Sequence, residues 1–132
     1  MSENTELPEE IRIFLLESYE NLDQLEQDLV QLETNPRDAE LINSVFRAIH
    51  TVKGNSGFLG LQKLEELCHK TETMLDKVRN GNLSLDEKTT NVLLSAVDAT
   101  RRLLKSVEDT GEEGDQDISS EVAQISEVLE AP

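Results

Sequence analysis

The chain has no tryptophan, one tyrosine, three phenylalanines, three prolines and one cysteine in 132 residues. A single cysteine, Cys68, excludes an internal disulfide and suits a reducing compartment. So few aromatics argue against a β-sandwich or an aromatic-lined pocket. The recurrent leucine, glutamate, valine and serine have the balance of a helical bundle instead. No apolar run approaches the ~20 residues needed to span a bilayer. The start, MSENTELPEE, is acidic and polar and lacks the features of a signal peptide. The expectation is a cytoplasmic protein, long enough for one domain with a real core.

Positive charge is also scarce. Twelve basic side chains stand against 28 acidic ones, a net of −16. Phosphate backbones and anionic headgroups attract cationic surfaces, so no nucleic acid and no membrane is expected as a partner. The deficit is uneven. Between Arg47 and Arg79 there are six basic and four acidic side chains, a balance of +2 against −18 elsewhere.

Hydrophobic spacing predicts an all-α fold. Residues 9 to 33 place Ile11, Leu15, Ser18, Leu22, Leu25, Leu29 and Leu32 on one face, with Pro8 in the first turn and Asn35-Pro36 as the stop. A second helix, capped by Asp38, turns Leu41, Ile42, Val45, Ala48, Ile49 and Val52 inward and should fray around Gly57 to Gly60. The third runs from Leu61 to Arg79 with Leu64, Leu67, Cys68, Thr71, Leu75 and Val78 inward, and Asn80-Gly81 ends it. The fourth starts at a capping box, Ser84 to Glu87, and carries Thr89, Val92, Ala96, Ala99, Leu103 and Val107. Short connections between long helices favour antiparallel neighbours, hence an up-down-up-down four-helix bundle over residues 1–108. Residues 109–117 read as a solvated acidic linker with glycine, and residues 118–132 as a short fifth helix on Ile118, Val122, Ile125 and Leu129. That helix either caps the bundle or leads away from it.

The chemistry concentrates in AIHTVKGNSGFLG, residues 48 to 60. At 100° per residue, His50 lies about 130° from the centre of its helix's apolar arc, at the solvent boundary. Lys53 and Gly54 follow one turn later. An imidazole that is neutral near physiological pH and held at one nitrogen presents the other as a nucleophile. Spacing alone leaves other readings open. His50 also reads as a solvated side chain, and Gly57 and Gly60 as termination signals. Gly54 is less easily explained so, because Val52 continues the apolar arc past it. Cys68 beside His69 makes no metal site, since adjacent helical residues diverge by about 100° and there is no second thiolate. Arg101-Arg102 reads as a solvated face. GNSGFLG lacks the lysine and serine or threonine of a P-loop, so no ATP site is expected here.

FRAIHTVKGNSGFLG, residues 46 to 60, closely resembles the phosphotransfer motif of histidine-containing phosphotransfer (HPt) domains. The form is most like that at the N-terminus of CheA-type chemotaxis kinases. LCHKTETMLDKVRNG, residues 67 to 81, resembles the same family's third helix. The resemblance implies that His50 is the phosphorylated residue and that Lys53, His69 and Glu72 join it in a polar network. It implies a phosphoryl group received from Mg-ATP on a histidine kinase catalytic domain, in cis or in trans, and passed to an aspartate of a response regulator receiver domain. No cofactor is implied for this domain itself. Gly54 and Gly57 would leave clearance for docking. CheA-type kinases continue into further domains, so an excised domain is expected, with a free-standing HPt protein as the alternative. Glu72 lies about 100° from the centre of its helix's apolar face, from where a carboxylate can reach the second helix. On spacing alone, Glu72 and His69 are equally a solvated i,i+3 pair. The competing class of function is an acidic helical adaptor without phosphoryl chemistry.

Overall fold

A computed structural model describes residues 7–130, all of whose regular structure is helical: α1 (Glu9–Thr34), α2 (Ala39–Phe58), α3 (Gln62–Arg79), α4 (Glu87–Thr110) and α5 (Ser119–Glu130). Residues 1–6 of the expected bundle span and 131–132 of the expected last helix lie outside the described residues.

The inward rows form one core. Leu22, Leu25, Val52, Leu64, Leu67, Leu103 and Leu104 are among its most deeply buried members. Each fully buried leucine or valine contributes roughly 1.5–3 kcal/mol from apolar area removed from water. Close backbone approaches run α1 to α2, α2 to α3, α3 to α4 and α4 back to α1, a four-membered ring in which neither diagonal pair of helices comes as near among the described residues. The α2–α3 seam is the most extensive. It joins the two segments that carry the sequence motif. The fifth helix packs on α3 and α4, burying Ile118, Ile125 and Val128.

Most helix ends follow from local chemistry. The Asp38 carboxylate accepts the backbone N–H groups of Glu40 (3.0 Å) and Leu41 (3.2 Å) at the start of α2. Gly60, at φ 76°, makes the left-handed turn between α2 and α3, and Gly81, at φ 79°, does so after α3.

Three expectations need correction. The fourth helix is capped by Asp86, which accepts from Thr89 N at 2.8 Å, and not by Ser84. Leu85, partly buried against the core, lies between the two and the helix begins after it. The segment expected to be a solvated linker is anchored. The helix before it runs on to Thr110, and the Glu113 carboxylate accepts Lys63 N (3.1 Å) and Leu64 N (2.7 Å). Lys63 Nζ in turn donates to the carbonyls of Gly114 and Gln116. This matters because Leu61, the N-cap residue of α3, offers no side-chain cap of its own. Finally, Arg101 and Arg102 remain partly exposed but bridge helices. Arg101 pairs with Asp23 and Glu26 on α1, and Arg102 with Glu121 on α5.

Candidate functional site

Ile49 and Val52 are buried in the core and fix the rotation of α2, which turns His50 out to solvent with 62% of its side chain exposed. Across the seam, buried Thr71 and Leu75 fix α3 so that Glu72 reaches toward α2 with only 14% of its side chain exposed. The two meet. His50 Nδ1 donates to Glu72 Oε2 at 2.5 Å, and Lys53 Nζ donates to Glu72 Oε1 at 2.6 Å. Each carboxylate oxygen therefore serves one partner.

The charge state of Glu72 follows from competing effects. Partial burial pushes its pKa up, but the hydrogen bonds from Lys53 and His50 outweigh that and hold it below the ordinary carboxylate value. An ionised carboxylate can only accept, so the hydrogen between the residues belongs to Nδ1 of His50. The lone pair of the neutral ring is then on Nε2, the arrangement needed for an outward-facing nucleophile. Lys53 adds a cation one turn along α2. Among the described residues no group of three or more His, Cys, Asp or Glu side chains is placed to hold a metal ion.

The Hpt domain family matches residues 9–131, nearly the whole chain. The chain belongs to the Hpt domain family. It is 37% identical over 126 residues to the sensor histidine kinase CheAY of Helicobacter pylori, which covers 96% of this chain and 16% of that protein. To the chemotaxis protein CheA of Bacillus subtilis it is 35% identical over 113 residues, 86% of this chain and 17% of that one. The chain thus spans less than a fifth of the length of these relatives. Among solved structures, the solution structure of the histidine phosphotransfer domain of CheA superposes with a TM-score of 0.78 at 34% identity, covering 86% of each chain. The phosphorylated P1 domain of CheA3 from R. sphaeroides, solved in complex with CheY6, gives a TM-score of 0.83 at 28% identity, covering 94% of this chain and 98% of that one.

Within this Hpt domain the structure brings together three of the four residues expected in the network. His69 is exposed, and its side chain makes no hydrogen bond among the described residues. It borders a shallow depression of about 380 Å³ shared with Lys53, Gln62, Glu65 and Glu66. The glycines also divide. A Cβ on Gly54 would meet nothing within 4 Å, whereas one on Gly57 would come 2.5 Å from Glu65 Oε2. The room at Gly57 is already filled by a side chain of α3, so the clearance expected there is used within the domain.

Two further side chains, Phe46 and Arg79, have no assigned role in the sequence motif but belong to the site. The rings of Phe46 and His50 are stacked, 6.1 Å between centroids and 9° between planes. The Arg79 guanidinium carbon lies 4.0 Å from the centre of the Phe46 ring. The four-residue spacing from Phe46 to His50 was a usable signal. Nothing local marked Arg79, 33 positions further along the chain than Phe46.

Proposed function

We propose that this Hpt domain carries phosphoryl groups in a CheA-like two-component signalling system of chemotaxis. In this reading His50 Nε2 attacks the γ-phosphorus of ATP held by a histidine kinase catalytic domain. The N–P bond forms as the bond to the ADP oxygen breaks. The Nδ1 hydrogen stays in place, so the ring becomes a cationic phosphoimidazolium facing the Glu72 carboxylate. A carboxylate oxygen of a receiver-domain aspartate then attacks phosphorus, the N–P bond breaks, and the electron pair returns to Nε2. Glu72 lowers the cost of charging the ring in the first step. Lys53 stabilises the incoming phosphoryl charge by only ~1 kcal/mol per unit charge at 4 Å in water, enough to favour arrival and too little to trap the product.

The observation that carries this reading is the single carboxylate shared between His50 Nδ1 and Lys53 Nζ beneath an exposed imidazole. The surroundings agree with it. Gly54 leaves open surface beside His50, and Phe58, 86% exposed, stands eight residues on, about 12 Å along the helix axis. A partner covering a typical ~800 Å² of this domain would reach both. Short connections at residues 35–38, 59–61 and 80–86 support an up-down-up-down antiparallel order for the ring. Mg-ATP belongs to the kinase domain in this scheme. The reading also includes a cytoplasmic location, a four-helix bundle that ends with α4 at Thr110, and a last helix joined to it by the anchored segment that follows.

The test is labelling with the cognate kinase and γ-labelled ATP, followed by addition of a receiver domain. Wild-type protein should take up acid-labile label and lose it to the receiver, and His50→Gln should take up none. Equal labelling of that variant would overturn the reading and leave the acidic adaptor in its place.

A further inference from the structure

One hydrogen bond fixes a point on an imidazole but not its plane. With Nδ1 anchored on Glu72, χ1 and χ2 of a largely exposed side chain can still change together, turning the ring plane and carrying Nε2 away from any fixed line of attack. In-line displacement at phosphorus needs that direction defined. A second constraint is present on the same side of the domain.

Phe46 precedes His50 by one turn of α2, and the two rings lie nearly parallel, 9° apart, at 6.1 Å between centroids. This is the separation of an offset-stacked pair. Phe46 is itself held. Arg79, the last residue of α3, sets its guanidinium carbon 4.0 Å from the Phe46 ring centre, within cation–π range. Asp76 on the same helix accepts from Arg79 Nη2 at 2.6 Å and keeps it turned that way. Residues 72, 76 and 79 follow at spacings of four and three, one face of α3. That face therefore reaches His50 twice, directly at Nδ1 through Glu72 and at the ring plane through Asp76, Arg79 and Phe46.

We infer that Phe46, braced by Arg79, is a positioning residue for His50 that fixes the plane of the imidazole and so the direction of Nε2. Its consequence for phosphorylation rests on the function proposed above; the stack itself does not. Both act through the His50 ring, so their effect falls on the rate of the chemical step and not on partner affinity.

The test pairs a spectroscopic readout with a kinetic one. In wild-type protein the His50 ring protons should carry the ring-current shift of a stacked neighbour, and ¹⁵N couplings should report a single Nδ1–H tautomer. Phe46→Leu keeps apolar bulk and removes the flat ring. It should lose the ring-current shift and slow phosphorylation on the order of tenfold. The loss should appear in kcat with the kinase and equally with phosphoramidate, a small donor that needs no docking surface. The KM for this domain should stay within about twofold. Phe46→Tyr should recover most of the rate and the ring-current shift. Arg79→Gln, at a partly exposed position where the fold is not at stake, should give an intermediate loss and serves if Phe46→Leu unfolds. An unchanged rate in folded Phe46→Leu and Arg79→Gln, or a loss confined to KM, would overturn the inference. Failure of wild-type His50 to accept phosphate from either donor would instead sink the proposed function, while the ring-current measurement would still decide whether the stack exists.

Discussion

Glu72 binds two partners through two oxygens, so its charge matters more to the site than any other. Because its pKa in the folded protein lies below the ordinary 4.5, the unfolded chain takes up a proton first as pH falls. The stabilisation that Glu72 provides is fully present above the ordinary value and disappears as pH drops through the lowered one. Glu72→Gln keeps the shape and removes the charge. It should destabilise the domain by about 1.5–3 kcal/mol at neutral pH, the range for hydrogen bonds to charged groups. As pH falls through the carboxylate range the gap from wild type should narrow and then close. Denaturant melts of both proteins across that range check this, and a gap that widens there would contradict the assignment. Helical angle put a histidine and a lysine on one boundary and a glutamate on the facing one. Their pairing was legible only through the resemblance to the phosphotransfer motif, since spacing alone left Glu72 equally a solvated side chain. The Phe46–Arg79 contact was not legible, since it depends on how far α3 extends past Glu72 before it ends.

Helix ends show the same division between local and distant causes. Asp38, Asn35-Pro36 and Asn80-Gly81 act on neighbouring backbone and were readable as such. Ser84 and Glu87 match the capping-box pattern, yet Asp86 is the better-placed acceptor for Thr89 N. The pattern pointed to Ser84, two residues before the side chain that caps the helix. The cap of α3 was invisible altogether, because its acceptor, Glu113, lies 49 residues beyond Leu64. Glu113→Ala should cost about 1 kcal/mol, as loss of an N-cap side chain does. It should also speed amide exchange at Lys63 and Leu64 ahead of the rest of α3. Unaltered exchange at those two amides would mean that water replaces the carboxylate without loss. Gly54 makes the opposite case. Its φ is not positive and a Cβ there meets nothing, so Gly54→Ala should stabilise the helix by roughly 0.5–1 kcal/mol. If the bare surface serves a docking receiver, the same variant should transfer its phosphoryl group more slowly despite its higher melting midpoint. Stabilisation with unchanged transfer would remove that role from Gly54.

At the scale of the molecule the open question from sequence was whether the last helix belongs to the bundle. Its apolar stripe reads the same whether it caps these helices or contacts something else, and only the packing separates the two. Ile125 is fully buried, with Ile118 and Val128 nearly so, against α3 and α4. Arg102 to Glu121 and Lys77 Nζ to the Leu129 carbonyl add polar ties at the margins of that contact. Such partly exposed ties contribute little, so burial must supply the holding force. Ile125→Ala should then cost about 2–5 kcal/mol through lost transfer energy and the cavity left behind. Cys68 gives an internal reporter for how that loss is distributed. It is fully buried in α3, and burial pushes its thiol up to about 12 against a smaller opposing pull from Thr100. Thiol reagents should therefore modify it only in molecules that have opened. If α5 and the four-helix ring unfold as one unit, Ile125→Ala should accelerate Cys68 labelling roughly 30-fold or more. Helix content and labelling should then share one denaturation midpoint, lowered together. A separate early loss of helix signal with Cys68 still protected would make α5 an independent attachment, and the buried stripe a resting place rather than part of the core.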